Sequence, residues 1–324
     1  MGIGYAINKL AQTIATIFFV LTFNFFLFRI LPGDPFALLF RGPGFSRALV
    51  NQLNSQFGLD QPLWLQYVKY LQNTLVGNFG ISYTYRSSVL TILIPRLMNT
   101  VILLLTATVI SIVVGIAMGL VSAWRRGSKI DVAFSTSTLL LYSMPTFWLG
   151  LILLFVGVIY FGLPVSGMKS LSGEVANPFA LASIVDLLRH MVLPCLTLVL
   201  GLTGEYVLIM KGALLDVFTE DYMLTAKAKG ISNAKLLRDH ALRNAALPMT
   251  TLIAINLGLA VGGAIQTETI FSWPGIGLLT YQALLTRDYP VLQGCFLVVA
   301  IAVVLMNFLA DLLYGYLDPR IRTG

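Results

Sequence analysis

The sequence predicts an all-α integral membrane protein with six transmembrane helices. Three observations predict it. Of 324 residues, 57% are hydrophobic and only 11% charged; mean hydropathy is +0.84; and six charge-poor stretches each reach bilayer-crossing length. Soluble domains are about half apolar and about a quarter charged, so a water-soluble fold is excluded. The net charge of +7 would suit nucleic acid, yet so apolar a chain has no exposed basic face large enough to track phosphates. Membrane topology accounts for the charge instead.

A helix rising 1.5 Å per residue needs about 20 residues to cross roughly 30 Å of hydrocarbon. The stretches that qualify are 9–31, 97–123, 132–161, 191–210, 247–271 and 291–314. An even number places both termini on one side, and the basic residues say which. Segment 124–131 carries Arg125, Arg126 and Lys129, the tail carries Arg320 and Arg322, and 211–246 carries Lys211, Lys227, Lys229, Lys235, Arg238 and Arg243. The opposing segment 272–290 has only Arg287, beside Asp288. By the positive-inside rule both termini are cytoplasmic.

Lys9 precedes an apolar run longer than a signal-peptide core, with no Ala-x-Ala-like site after it, so the first span reads as an uncleaved anchor. Segment 32–96 is then the one large extracytoplasmic piece, too long for a turn. Leu63, Tyr67, Tyr70, Leu71 and Leu75 follow Asp60-Gln61-Pro62 at helical spacing and predict a short amphipathic helix. The chain accordingly divides into 1–96, the first helix with its outer segment, and 97–324, the remaining five helices. Cys195 and Cys295 lie in apolar runs without metal-ligand spacing and read as buried thiols. No internal repeat is visible.

The segment 211–248 carries the most information. Leu224-Thr225-Ala226-Lys227-Ala228-Lys229-Gly230 reads as a helix closed by a glycine cap. Ser232 follows as an N-cap, a second helix spans 233–244, and Leu247-Pro248 redirects the chain into the fifth span. The product is a helical hairpin outside the membrane. Small residues at its tip, Ala226, Ala228 and Gly230, would let another protein approach the backbone, with Tyr222, Thr225, Lys227, Lys229 and Ser232 around the contact. The same pattern also fits an ordinary amphipathic loop whose lysines merely enforce topology.

This segment resembles the cytoplasmic signature of binding-protein-dependent ABC importer permeases, Glu-Ala-Ala, three residues, Gly, nine residues, then Ile-x-Leu-Pro. Ala226 and Gly230 agree, Leu224 and Thr225 stand where Glu and the first Ala would be, and the distance from Gly230 to Leu247-Pro248 is five residues longer. That longer form, with Asp221-Tyr222 and His240-Ala241-Leu242-Arg243-Asn244, is similar to the B-type permeases of the dipeptide, oligopeptide and nickel branch. Further segments resemble the same branch: Leu31-Pro32-Gly33-Asp34-Pro35, Phe57-Gly58-Leu59-Asp60-Gln61-Pro62, Ser143-Met144-Pro145-Thr146-Phe147-Trp148-Leu149-Gly150, Glu268-Thr269-Ile270-Phe271-Ser272-Trp273-Pro274-Gly275-Ile276-Gly277, Arg287-Asp288-Tyr289-Pro290 and Leu317-Asp318-Pro319-Arg320-Ile321-Arg322.

The resemblance implies a type I importer transmembrane domain in the bacterial or archaeal inner membrane, with 222–232 as the coupling helix. It implies a second, C-type permease, two ABC ATPase subunits that bind ATP and Mg, and an extracytoplasmic solute-binding protein as partners. Peptides are the implied cargo, with nickel or glutathione as the alternative. The chain has no Gly-x-x-x-x-Gly-Lys-Ser/Thr loop of its own and so no nucleotide site, and no cofactor is expected in it.

Polar residues within the spans are the remaining candidates. Glu205 interrupts the fourth span and would either line a path for a cationic substrate or pair with Lys211 near the interface. Glu268 either contacts substrate or braces the outer segment, and Asn256 and Gln266 are milder path candidates. Gly115 and Gly119, and Gly258, Gly262 and Gly263, allow close helix packing or subunit pairing. Pro145 should kink the third span. His190 and His240 fall at opposite sides of the membrane and cannot share a metal, and neither His-Glu-x-x-His nor Gly-x-Ser-x-Gly occurs, which leaves a membrane hydrolase without a catalytic constellation. An ion-coupled secondary transporter using Glu205 is the main rival.

Overall fold

The computed structural model describes residues 3–30, 61–170, 181–260 and 264–317. The motif at 31–35, most of the one at 57–62, Gly262, Gly263 and the tail from 318 lie outside the described residues. The elements are α1 (Ile3–Ile30), α2 (Leu63–Leu75), α3 (Val89–Trp124), α4 (Lys129–Ser143), α5 (Thr146–Phe161), α6 (Leu181–Phe218), α7 (Asp221–Ala228), α8 (Asn233–Leu236), α9 (Leu242–Ala260), α10 (Ile265–Ile270), α11 (Ile276–Thr286) and α12 (Tyr289–Leu317). A π turn, Leu237–Ala241, joins α8 to α9.

Among the described residues, four helices are long and apolar enough to cross a bilayer, α4 and α5 making a fifth if that bent pair is one span. The expected continuous third span, 132–161, is a break and not a kink: α4 and α5 meet at 107°. Pro145 is the cause. It has no N–H to continue a helix and holds Met144 extended at φ −77°, ψ 134°, so the chain restarts at Thr146. The expected fifth span, 247–271, is not one helix either. Helix α9 begins at Leu242, carries Pro248 in its interior without redirecting there, and is followed by a separate α10 whose leading Ala264 is non-helical at φ −102°, ψ 69°. With Arg243, Asn244, two threonines and Asn256 in 19 residues, α9 is not among the four.

The bundle is centred on α3 and α6, of 36 and 38 residues, each about twice the length needed to cross hydrocarbon. The Gly115/Gly119 pair sets their approach within this chain. A Cβ on Gly119 would lie 2.8 Å from Met210 Cβ and 2.9 Å from the Val207 carbonyl, and Gly115 seats against the Tyr206 side chain. Gly119→Leu is therefore expected to destabilise the chain by about 1–3 kcal/mol or more, because a backbone carbonyl cannot give way as a side chain can. Thermal unfolding in detergent reads this, and an unchanged midpoint would show that the two helices are not held at this contact.

Helix α1 lies against α12, tied by Lys9–Asp311 at 2.9 Å. The predicted amphipathic helix is α2, and its Tyr67 and Tyr70 pack on Phe25 and bond to Thr22 and Asn24 of α1. Its Leu63 and Leu75 are exposed. Both cysteines are buried free thiols.

Candidate coupling site

The hairpin at the basic end starts with α7, eight residues long, whose last turn is closed by two bonds. Gly230 N–H donates to Lys227 O at 2.9 Å and Ile231 N–H to Ala226 O at 3.4 Å, the 5→2 and 6→1 pairs of a Schellman cap. Gly230 supplies the left-handed residue this cap requires, at φ +72°. Ser232 then precedes α8, its carbonyl accepting from Leu236 N–H at 2.9 Å. The Tyr222 hydroxyl accepts from Asn244 Nδ2 at 2.8 Å, binding the two limbs of the hairpin together.

One face of α7 belongs to the membrane core. Met223 and Ala226, at i and i+3, are buried in a cluster with Ala123 of α3, Tyr206, Met210 and Leu214 of α6, and Met249 of α9. The other face is free: Tyr222, Leu224, Thr225, Lys227, Ala228, Lys229, Gly230 and Ser232 are all exposed. This corrects one expectation. Ala226 does not offer its small side chain to a partner; helical spacing puts it beside Met223, facing inward. On the second limb the Arg238 guanidinium, 2.7 Å from Asp239, holds that carboxyl below its ordinary pKa.

Above the hairpin lies an ion pair that sequence spacing did not disclose. Lys211 Nζ is 2.6 Å from Asp131 Oδ1 and donates to Ser135 Oγ at 2.8 Å, while Asp131 also accepts from Ser122 Oγ and, at 2.9 Å, from Gly127 N–H. Asp131 is placed by α4's own start, where Ser128 caps the helix by accepting from the Asp131 N–H. The Ser-x-x-acid pattern at 128–131 was the available signal. Lys211 is thus not the partner of Glu205.

Of the four path candidates, the structure joins two. Asn256 Nδ2 donates to Glu205 Oε2 at 3.2 Å and to the Tyr206 hydroxyl at 3.1 Å. Gln266 sits exposed on α10, apart from them. Glu268 is 0% exposed: its Oε1 accepts from Thr100 Oγ1 at 2.7 Å and its Oε2 from Leu278 N–H at 2.9 Å. The same knot closes around buried Trp273, whose Nε1 donates to Asn99 O at 3.0 Å. Asp288, also read only as part of a motif, is buried and accepts from Ser82 Oγ at 2.5 Å and Thr84 N–H at 3.0 Å. His190 lies within α6, Nδ1 2.8 Å from Asp186 O, and the described residues contain no group of three or more potential metal ligands.

A bundle of apolar helices with a helical hairpin packed onto its basic end is the architecture of an integral membrane subunit. Family models place it further: residues 111–323 match the binding-protein-dependent transport system inner membrane component, and residues 3–106 match the N-terminal region of such membrane components. The chain belongs to that family of multi-pass inner-membrane permeases. It is 39% identical over 323 residues, covering 99% of this chain and 100% of the relative, to a probable peptide ABC transporter permease of Sinorhizobium fredii. It is 37% identical over 333 residues, 98% of each chain, to the dipeptide transport system permease DppB of Escherichia coli K12, and 34% identical over 320 residues, 98% and 99%, to the oligopeptide permease AppB of Bacillus subtilis. The solved inward-facing MetNI methionine ABC transporter contains a chain with the same fold, at TM-score 0.55 and 17% identity over 70% of this chain and 96% of that one.

Proposed function

We propose that this chain is the B-type permease half of a peptide importer, with di- or oligopeptides as cargo and separate ATPase subunits docking on the exposed face of α7. The cargo follows from the relatives, all named for peptides among those above. The observation that carries the coupling role is the two-faced α7: Met223 and Ala226 are built into the core of α3, α6 and α9, whereas Leu224, Lys227, Ala228 and Lys229 are left for a partner. A helix held in this way cannot move without moving Tyr206 and Met210, so ATP-driven closure of a partner would bias the bundle between inward-open and outward-open states. The basic loops put this face in the cytoplasm, where ATP is. A second permease, a solute-binding protein outside and ATP with Mg on the ATPases complete the assembly in this reading, and the chain itself is no enzyme.

The test is uptake of a labelled dipeptide into proteoliposomes holding the full complex. Uptake is expected to require internal-face ATP and binding protein and to survive an uncoupler. Uptake that persists without ATP and collapses with the proton gradient would identify a secondary transporter. Dipeptide ignored in favour of a nickel chelate or glutathione would leave the permease role intact and replace the cargo.

A further inference from the structure

Glu205 sits six residues, about 9 Å, from Lys211 along α6, toward the apolar middle of the span, where a carboxylate is costly unless a cation or hydrogen-bond donors offset it. Lys211 is committed to Asp131 at 2.6 Å. Among the described residues no lysine, arginine or histidine comes within ion-pair distance of Glu205. Among the described residues Asn256 is its hydrogen-bond partner, and it fixes Oε2. The amide leaves Oε1 for something else.

The face of α6 on which Glu205 stands is open. Gly201 at i−4 and Gly212 at i+7 would each meet nothing within 4 Å if given a Cβ, and Leu208 at i+3 is 39% exposed. The adjoining face is closed, with Gly204 seated against Tyr142 of α4 and Tyr206 against Gly115 of α3. A half-buried carboxylate, oriented by an amide and flanked by two glycines that keep the helix surface low, has the chemistry of a site for a compact cation.

We propose that this face of α6 lines the substrate path and that Glu205 receives the protonated α-amino group of a passing peptide. This rests on the peptide reading above. The α-ammonium is the cation every unblocked peptide shares, whatever its side chains, so one carboxylate at this point accepts peptides as a class without reading their sequence. Asn256 is a positioning residue: it turns Oε2 away and presents Oε1.

The test uses the full complex in proteoliposomes and reads labelling of Glu205 by dicyclohexylcarbodiimide, which modifies carboxyl groups in apolar surroundings. Dialanine and ethylammonium are expected to protect Glu205, and N-acetyl-dialanine is not. Protection by ethylammonium alone would overturn the peptide contact while sparing a cation site, and equal labelling under all three would overturn the site altogether; neither outcome touches the peptide reading, which dipeptide uptake tests separately. Glu205→Gln is expected to lower dialanine uptake by about tenfold or more, as loss of a charged hydrogen-bond partner implies, and Glu205→Asp to restore part of it. Loss of pairing with the second permease in Glu205→Gln, with uptake of every solute falling alike, would mark the carboxylate as a subunit contact and reject the proposal.

Discussion

Lys211→Met is expected to destabilise the permease by about 3–5 kcal/mol, the cost of leaving a buried anion without its cation. The Asp131 side chain is 9% exposed and that of Lys211 21%, so solvent screens the pair weakly. Asp131 would keep its bonds from Ser122, Ser135 and Gly127, which offset only part of the loss. The double replacement Lys211→Met with Asp131→Leu removes both charges and is expected to recover most of the stability, since well-packed apolar residues replace such pairs at little cost. Thermal unfolding of the four proteins closes the cycle. Single variants within about 1 kcal/mol of wild type would mean that the turn between α3 and α4 is not clamped to α6 here.

Met223→Asp is expected to abolish coupled transport. Met223 is 1% exposed among Tyr206, Met210 and Leu214, and its burial contributes about 1.5–3 kcal/mol. An aspartate there forfeits that and buries a carboxylate in an apolar cluster. An eight-residue helix has no stability apart from its packing, so α7 would leave the core. Peptide uptake by the reconstituted complex should fall more than about tenfold, while basal ATP hydrolysis by the partner subunits continues. Met223→Leu keeps volume and apolarity and should transport nearly as wild type. Undiminished uptake in Met223→Asp would show that the buried face of α7 does not transmit the stroke.

How much of this was legible beforehand differs from element to element for physical reasons. Apolar runs located the four longest helices but cut each short, because hydropathy falls before the helix ends: α3 begins at Val89 and α6 runs on to Phe218, with Val89, Leu93 and Leu214 buried outside the apolar runs. Pro145 marked an interruption, yet a proline fixes one dihedral and cannot state that the next helix leaves at 107°. Gly230 was readable as a cap because only glycine adopts φ +72° without strain. The two faces of α7 were encoded as Met223 and Ala226 at i, i+3, a stripe too short to stand out among small residues. The Lys211–Asp131 pair joins residues 80 apart, and the donors that consume Glu268 include the backbone N–H of Leu278, a partner that no side-chain pattern records.

Contact between the exposed face of α7 and an ATPase subunit can be tested directly. Both native cysteines are buried, so Ala228→Cys gives one accessible thiol on that face. Labelled with benzophenone maleimide in the full complex and irradiated, it is predicted to cross-link to an ATPase subunit, with the yield changing when ATP is added. A cross-link to the solute-binding protein or to lipid, with none to the ATPase, would contradict the account.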